Sequence, residues 1–227
     1  MTHSEQKKRY GKLITFLLVD VLIIIGFIVY FGIISPRLSN HQVMKIDGVV
    51  LPQGEAIDDF QLTDNKGHQF TKQNLLGRWT MMFFGFTNCG MVCPTTMAEL
   101  NKTYKMLQKN LAQNELPQVV MVSVDPDVDS VARMNSYVNA FNPNFIGVRA
   151  DIDHTVQLEK QLHIAAAKIQ VDGAGKHHYT INHTADILLF NPKGELVAYL
   201  SYPHQADQMA KDYQLILAQS AENKIYQ

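Results

Sequence analysis

Cys89 and Cys93 stand three residues apart in Cys89-Gly90-Met91-Val92-Cys93-Pro94, and no other cysteine occurs in the 227 residues. An apolar run from Trp79 to Phe84 precedes them and a helical stripe follows, so the pair sits at a strand-to-helix junction. Free backbone N–H groups and the positive end of the helix dipole favour negative charge at such a place, which lowers a thiol's pKa. A thiolate there is both the nucleophile of disulfide exchange and a metal ligand, and position alone does not choose between them. The spacing brings the sulfurs either into disulfide contact or around one metal ion. A purely structural disulfide is the weaker reading, because so short a loop removes little chain entropy from a domain with a large core. A closed zinc site finds no second cysteine pair and no His-x3-5-His run.

The elements that must position this pair are legible as periodicity. Trp79 to Phe84 and Val119 to Val124 are continuous apolar runs of strand length, the mark of strands buried on both faces. Met97, Leu100, Tyr104, Leu107 and Leu111 stripe one helix, with Pro94 in its first turn, and Val131, Met134, Tyr137, Val138 and Phe141 stripe a second. Phe60, Leu62 and Phe70 around Asp64-Asn65-Lys66-Gly67 predict a hairpin, and a strand near Phe145–Val148 precedes a short helix near His154–Leu162. Ala185–Phe190, the turn Asn191-Pro192-Lys193-Gly194 and Leu196–Leu200 predict a second hairpin, followed by a helix over about Gln205–Ala218. Met81 and Met82 belong to the buried strand and are expected in the core. This is an α/β chain, a mixed sheet with helices on both faces. A βαβ opening with paired cysteines at its first junction is the layout of a thioredoxin-like fold.

Leu13 to Ile34 reads LITFLLVDVLIIIGFIVYFGII, long enough to cross a bilayer as one helix, with Asp20 as a tolerated off-centre charge. Lys7, Lys8, Arg9 and Lys12 precede it and only Arg37 and Lys45 soon follow, which places residues 1–12 in the cytoplasm and exports the rest. The stretch is longer than a signal peptide's core and lacks a clean cleavage site, and the N-terminus is no mitochondrial presequence, so the expected location is a bacterial inner membrane with the folded part periplasmic. Residues 35–56, with Pro36, Gly48, Pro52 and Gly54, read as a linker, 57–220 as the folded domain and 221–227 as a tail. A formal net charge of −1 lacks the basic excess that a dedicated nucleic-acid binder needs.

Three motifs in order resemble the Sco/SenC family: Gly85-Phe86-Thr87-Asn88-Cys89-Gly90-Met91-Val92-Cys93-Pro94; Val122-Ser123-Val124-Asp125-Pro126 with Asp129; and Asn182-His183-Thr184 leading into Ile187-Leu188-Leu189 and Asn191-Pro192-Lys193-Gly194. The resemblance covers roughly 55–220 behind a single anchor. It implies a membrane-tethered, thioredoxin-like copper chaperone that delivers copper to the binuclear copper centre of cytochrome c oxidase, with Cys89, Cys93 and His183 as the copper ligands. Two soft thiolates and an imidazole suit Cu(I), and hold Cu(II) when a further ligand joins. Implied partners are the copper-accepting oxidase subunit and a copper donor or thiol reductant. The alternative is a thiol-disulfide oxidoreductase that reduces the acceptor's cysteines, with Cys89 attacking and Cys93 resolving. Asp125 is expected either to orient the histidine or tune the thiols, or to serve as a turn residue. Met91 offers either a thioether to copper or an apolar contact to a partner. Gly90, Met91 and Asn88 depart from the family's usual residues, and His177 and His178 are read as solvated loop histidines.

Overall fold

The computed structural model describes residues 17–28, 46–170 and 179–225. Two compact units are separate along the chain, Met1–Met44 and Lys45–Gln227. In the first, residues 17–28 form helix α1 with every side chain exposed. Among the described residues no helix is long and apolar enough to cross a membrane. Residues 13–16 and 29–34 of the expected span lie outside those described, as do His177 and His178.

The second unit runs β1 (Gly48–Ala56), β2 (Gln61–Asp64), β3 (Gln69–Thr71), β4 (Thr80–Gly85), α2 (Val92–Asn110), β5 (Gln118–Ser123), α3 (Val131–Phe141), β6 (Ile146–Arg149), α4 (Ile152–Gln161), β7 (Ala166–Gln170), β8 (Tyr179–His183), β9 (Ile187–Phe190), β10 (Glu195–Leu200) and α5 (Ala206–Ile225). Eight strands form one mixed sheet in the order β1-β10-β9-β4-β5-β6-β2-β3. β4, β5 and β6 are parallel, as right-handed βαβ crossings through α2 and α3 require, and the remaining neighbours pair antiparallel. Every residue of β4 and of β9 is buried. Because successive side chains point to opposite faces, both faces of the sheet are covered at its centre, which is why these segments read as unbroken apolar runs. Met81 and Met82 are in that core, as expected. The stripe of α2 buries Met97, Leu100, Tyr104 and Leu107, and that of α3 buries Met134 and Val138.

Two expectations are corrected and one pair of strands is added. Residues 48–56, read as linker, form β1 and pair with β10. An edge strand tolerates Pro52 and Gly54, and a register shift between Val50 and Glu55 absorbs them. Gly48 is required there, since a Cβ would lie 2.0 Å from the Tyr199 carbonyl oxygen. At the other end, α5 continues to Ile225 and takes up most of the expected tail, because Ala221, Glu222 and Lys224 favour helix and no Gly or Pro intervenes. Flanking the glycine-containing segment, β7 and β8 pair as a separate two-stranded ribbon that went unread, since Ala166 and Ala167 carry little strand signal.

Candidate metal and thiol site

The cysteine loop joins the C-terminal end of β4 to α2. Met91 occupies the N-cap of α2 with no side-chain cap, and the Cys93 N–H instead donates to Cys89 Sγ at 3.3 Å. Cys93 is fully buried while Cys89 is half-buried, and both are free thiols. The bond from the Cys93 thiol is the main cause that brings the Cys89 pKa down to about 4, with the Cys93 and Met91 N–H groups adding to it against burial. Cys93 moves the opposite way, because its proton is held by Cys89 and its sulfur is buried. The pair therefore rests as an accessible thiolate beside a buried thiol.

Room for the buried sulfur comes from Gly85. A Cβ there would lie 2.7 Å from Phe83 Cε1 and 3.2 Å from Cys93 Sγ. Phe83 in turn packs edge-on against the His183 ring, with centroids 6.0 Å apart. Gly85→Ala is expected to displace both the sulfur and the ring, destabilising the chain by about 1–3 kcal/mol and raising the Cys89 pKa. Chemical unfolding and iodoacetamide alkylation across pH check this.

His183 ends β8, ninety residues beyond Cys93 in sequence, yet its Nε2 lies 3.6 Å from Cys93 Sγ. Its Nδ1 is 2.9 Å from the Thr184 carbonyl oxygen, which can only accept. Nδ1 therefore carries the proton in the neutral ring, and Nε2 turns its lone pair towards the sulfur. Phe83 and Phe86 both meet the ring edge-on and fix its plane. His204, given no role by the sequence, donates from Nε2 to the Ala185 carbonyl at 2.8 Å and ties down the segment leaving His183. Among the described residues no three metal-type side chains are already gathered as a closed site. The pair in contact is Cys93 with His183, and Cys89 is bonded beside them.

Several neighbours escaped the sequence reading. Glu159 of α4 and His183 line one groove of about 570 Å3 with Ala166 and Thr184. Burial lifts the Glu159 carboxyl to about 7, opposed by the charge of His183. Its signal was a carboxylate on the inward face of α4, in step with Thr155 and Leu158. On the far side of the loop, fully buried Asp129 accepts from the Thr87 N–H at 3.2 Å, from the Thr87 hydroxyl and from the Ser123 hydroxyl at 2.7 Å. Arg133 of α3 reaches over to donate to Thr87 Oγ1 at 2.5 Å and to Asn88 Oδ1, directly before Cys89. Tyr137 brings a buried hydroxyl with no protein partner, and its pKa is raised by burial first and then by the charges of Cys93, Cys89 and Asp129. Removing the clamp by Arg133→Ala is expected to loosen the loop, with amide exchange rising about tenfold at residues 87–91 while β5 is unaffected. Hydrogen exchange read by mass spectrometry checks it.

The Asp125 carboxylate bonds to Tyr179 and Lys168 on the β7–β8 ribbon, and its carbonyl accepts from the Val128 and Asp129 N–H groups, which is the turn role that was the other expectation for it. Met91 projects from the loop, 76% exposed.

The SCO1/SenC family model matches residues 51–218. The chain is 30% identical over 177 residues to the mitochondrial SCO2 homolog of Danio rerio, covering 77% of this chain and 60% of that one. It spans between 46% and 60% of the length of the vertebrate and yeast relatives it matches. Among solved structures it resembles Bradyrhizobium japonicum ScoI with copper bound, at 29% identity and TM-score 0.61, covering 70% of this chain and 97% of that one. It also resembles apo Sco1 of Thermus thermophilus, at 28% identity and TM-score 0.64, covering 75% and 96%. With the family's match spanning all of the sheet but the first three residues of β1, and both halves of the site, the chain belongs to the SCO1/SenC family.

Proposed function

We propose that this chain is a copper chaperone that takes up copper through Cys89, Cys93 and His183 and delivers it to the copper-accepting subunit of cytochrome c oxidase, tethered to a bacterial inner membrane by residues 13–34 with its folded domain in the periplasm. The observation that carries the reading is the 3.6 Å meeting of Cys93 Sγ with His183 Nε2, two soft-metal ligands brought together from distant parts of the chain. Family membership supports it, as does the copper bound by the Bradyrhizobium relative. The basic residues before the apolar stretch support the orientation. Copper is cargo, so it must leave as well as bind. Incoming thiolates replace His183 and then the cysteines one at a time, and the half-exposed Cys89 gives the acceptor a point of approach.

The split protonation of the two thiols supports a second role at the same atoms. The Cys89 thiolate attacks a disulfide of the acceptor and forms a mixed disulfide. Cys93 then gives its proton to His183 Nε2 and attacks Cys89 Sγ; the acceptor sulfur held there leaves as a thiolate and takes that proton from His183, while the acceptor sulfur freed in the first step is protonated by water. Two electrons pass to the acceptor, the Cys89–Cys93 pair becomes a disulfide, and a thiol reductant resets it. Metal analysis of the reduced full chain after Cu(I) loading tests the main reading. One copper per chain is expected, with none retained by Cys89→Ser or Cys93→Ser; stoichiometric copper in both variants overturns it.

A further inference from the structure

We propose that Asp125 is the anchor that presents His183 to the dithiol, by holding the β7–β8 ribbon against the end of β5 through Tyr179 and Lys168. The inference rests on the role proposed above for His183. The ribbon stands apart from the eight-stranded sheet, its two strands hydrogen-bonded to each other. At its base, where Ala166 faces His183, it is closed by the Thr184 N–H on the Ala165 carbonyl at 2.9 Å and the Ala165 N–H on Thr184 Oγ1 at 3.1 Å. Towards its far end one side chain from each strand converges on the same carboxylate. The Tyr179 hydroxyl donates to Asp125 Oδ2, and Lys168 Nζ lies 3.3 Å from Oδ1. The Lys168 ammonium also sits 3.8 Å from the centroid of the Tyr179 ring.

Asp125 is 2% exposed, and these two side chains supply the hydrogen bonds that its buried carboxylate oxygens need. At about 3.3 Å per residue the anchor lies about 13 Å along β8 from His183. A ribbon fixed at the base alone can pivot and carry the imidazole with it. A second fixed point along its length removes that freedom. The anchor is tied to the dithiol's own scaffold: the Val124 N–H, one residue before Asp125, donates to the carbonyl of Gly85 at the head of the cysteine loop. One carboxylate thus sets both halves of the site relative to the same pair of strands. Asp125, Tyr179 and Lys168 are positioning residues, acting through His183.

The test uses the full chain with Asp125→Ala and, as a milder cut that leaves the carboxylate in place, Tyr179→Phe. In the metal-free protein, hydrogen exchange over 166–170 and 179–183 is expected to rise about tenfold in either variant, with β4 and β5 unchanged. Unchanged exchange there in both variants overturns the anchor. With copper, competition against a chromogenic Cu(I) chelator is expected to show about tenfold weaker binding for Asp125→Ala in the native background, and no further loss when His183→Ala is already present. An equal loss in both backgrounds overturns the proposal, since the effect would then not travel through His183. Should the native chain take up no copper, the chaperone reading falls while the exchange measurement still decides whether Asp125 holds the ribbon.

Discussion

His183→Ala is expected to weaken Cu(I) binding by about 100-fold or more while leaving Cys89 and Cys93 able to form a disulfide. Cu(I) at this site would draw on two thiolates and one imidazole, and the ring is the member that arrives on a separate element. Its Nε2 faces Cys93 Sγ with a free lone pair, held by the Thr184 carbonyl behind it and by Phe83 and Phe86 at its edges. Deleting the imidazole leaves a two-coordinate dithiolate. The Cys93 thiol and the Cys93 and Met91 N–H groups that favour the Cys89 thiolate remain in this variant, so the thiol's reactivity is expected to stay high at mildly acidic pH. Chelator competition and alkylation rates between pH 4 and 8 read the two effects separately. Native-like copper affinity in the variant would remove His183 from the ligand set.

The second large effect concerns Glu159. Burial raises its carboxyl from the ordinary 4.5 to about 7 in the folded chain. Between those values the native protein keeps a proton that the unfolded chain has released. The stability linked to the protonated carboxyl is complete below about 4.5 and is lost as pH rises through about 7. Glu159→Gln stays neutral throughout. It is expected to match the native chain at pH 4 and to exceed it by about 3 kcal/mol at pH 8. Urea unfolding of the metal-free protein at the two pH values checks this, and a parallel pH dependence in both proteins would show that Glu159 is ionised in the fold at neutral pH.

What the sequence conveyed about this molecule followed from burial. Wherever a segment is covered on both faces, as at β4 and β9, or striped at helical spacing, as on α2 and α3, composition alone marks it, and the cysteine pair was placed correctly at the junction those elements create. β1 was missed because its apolar run, Val49 to Leu51, is short and is cut by Pro52, which an edge strand with most residues exposed tolerates. The ribbon was missed because Ala166 and Ala167 carry little strand signal and its apolar residues Ile169 and Ile181 stand singly among polar neighbours. Arg133 and Lys168 look like ordinary surface cations in sequence, and only the folded chain brings one over Asn88 and the other onto Asp125. Glu159 differs, since a carboxylate in the register of Thr155 and Leu158 is visible before folding, and its cost in solvation was the signal to follow.

The sulfur that receives the Cys93 N–H stands where a serine or aspartate oxygen ordinarily closes the start of a helix. A sulfur that takes up a metal or a bridge keeps lone pairs and can go on accepting that N–H, so the amide in the first turn of the nineteen-residue α2 stays in contact with whatever the thiol carries. The opening of the helix is thereby wired to the chemistry: a change of charge on that one sulfur is felt first by the backbone dipole behind it.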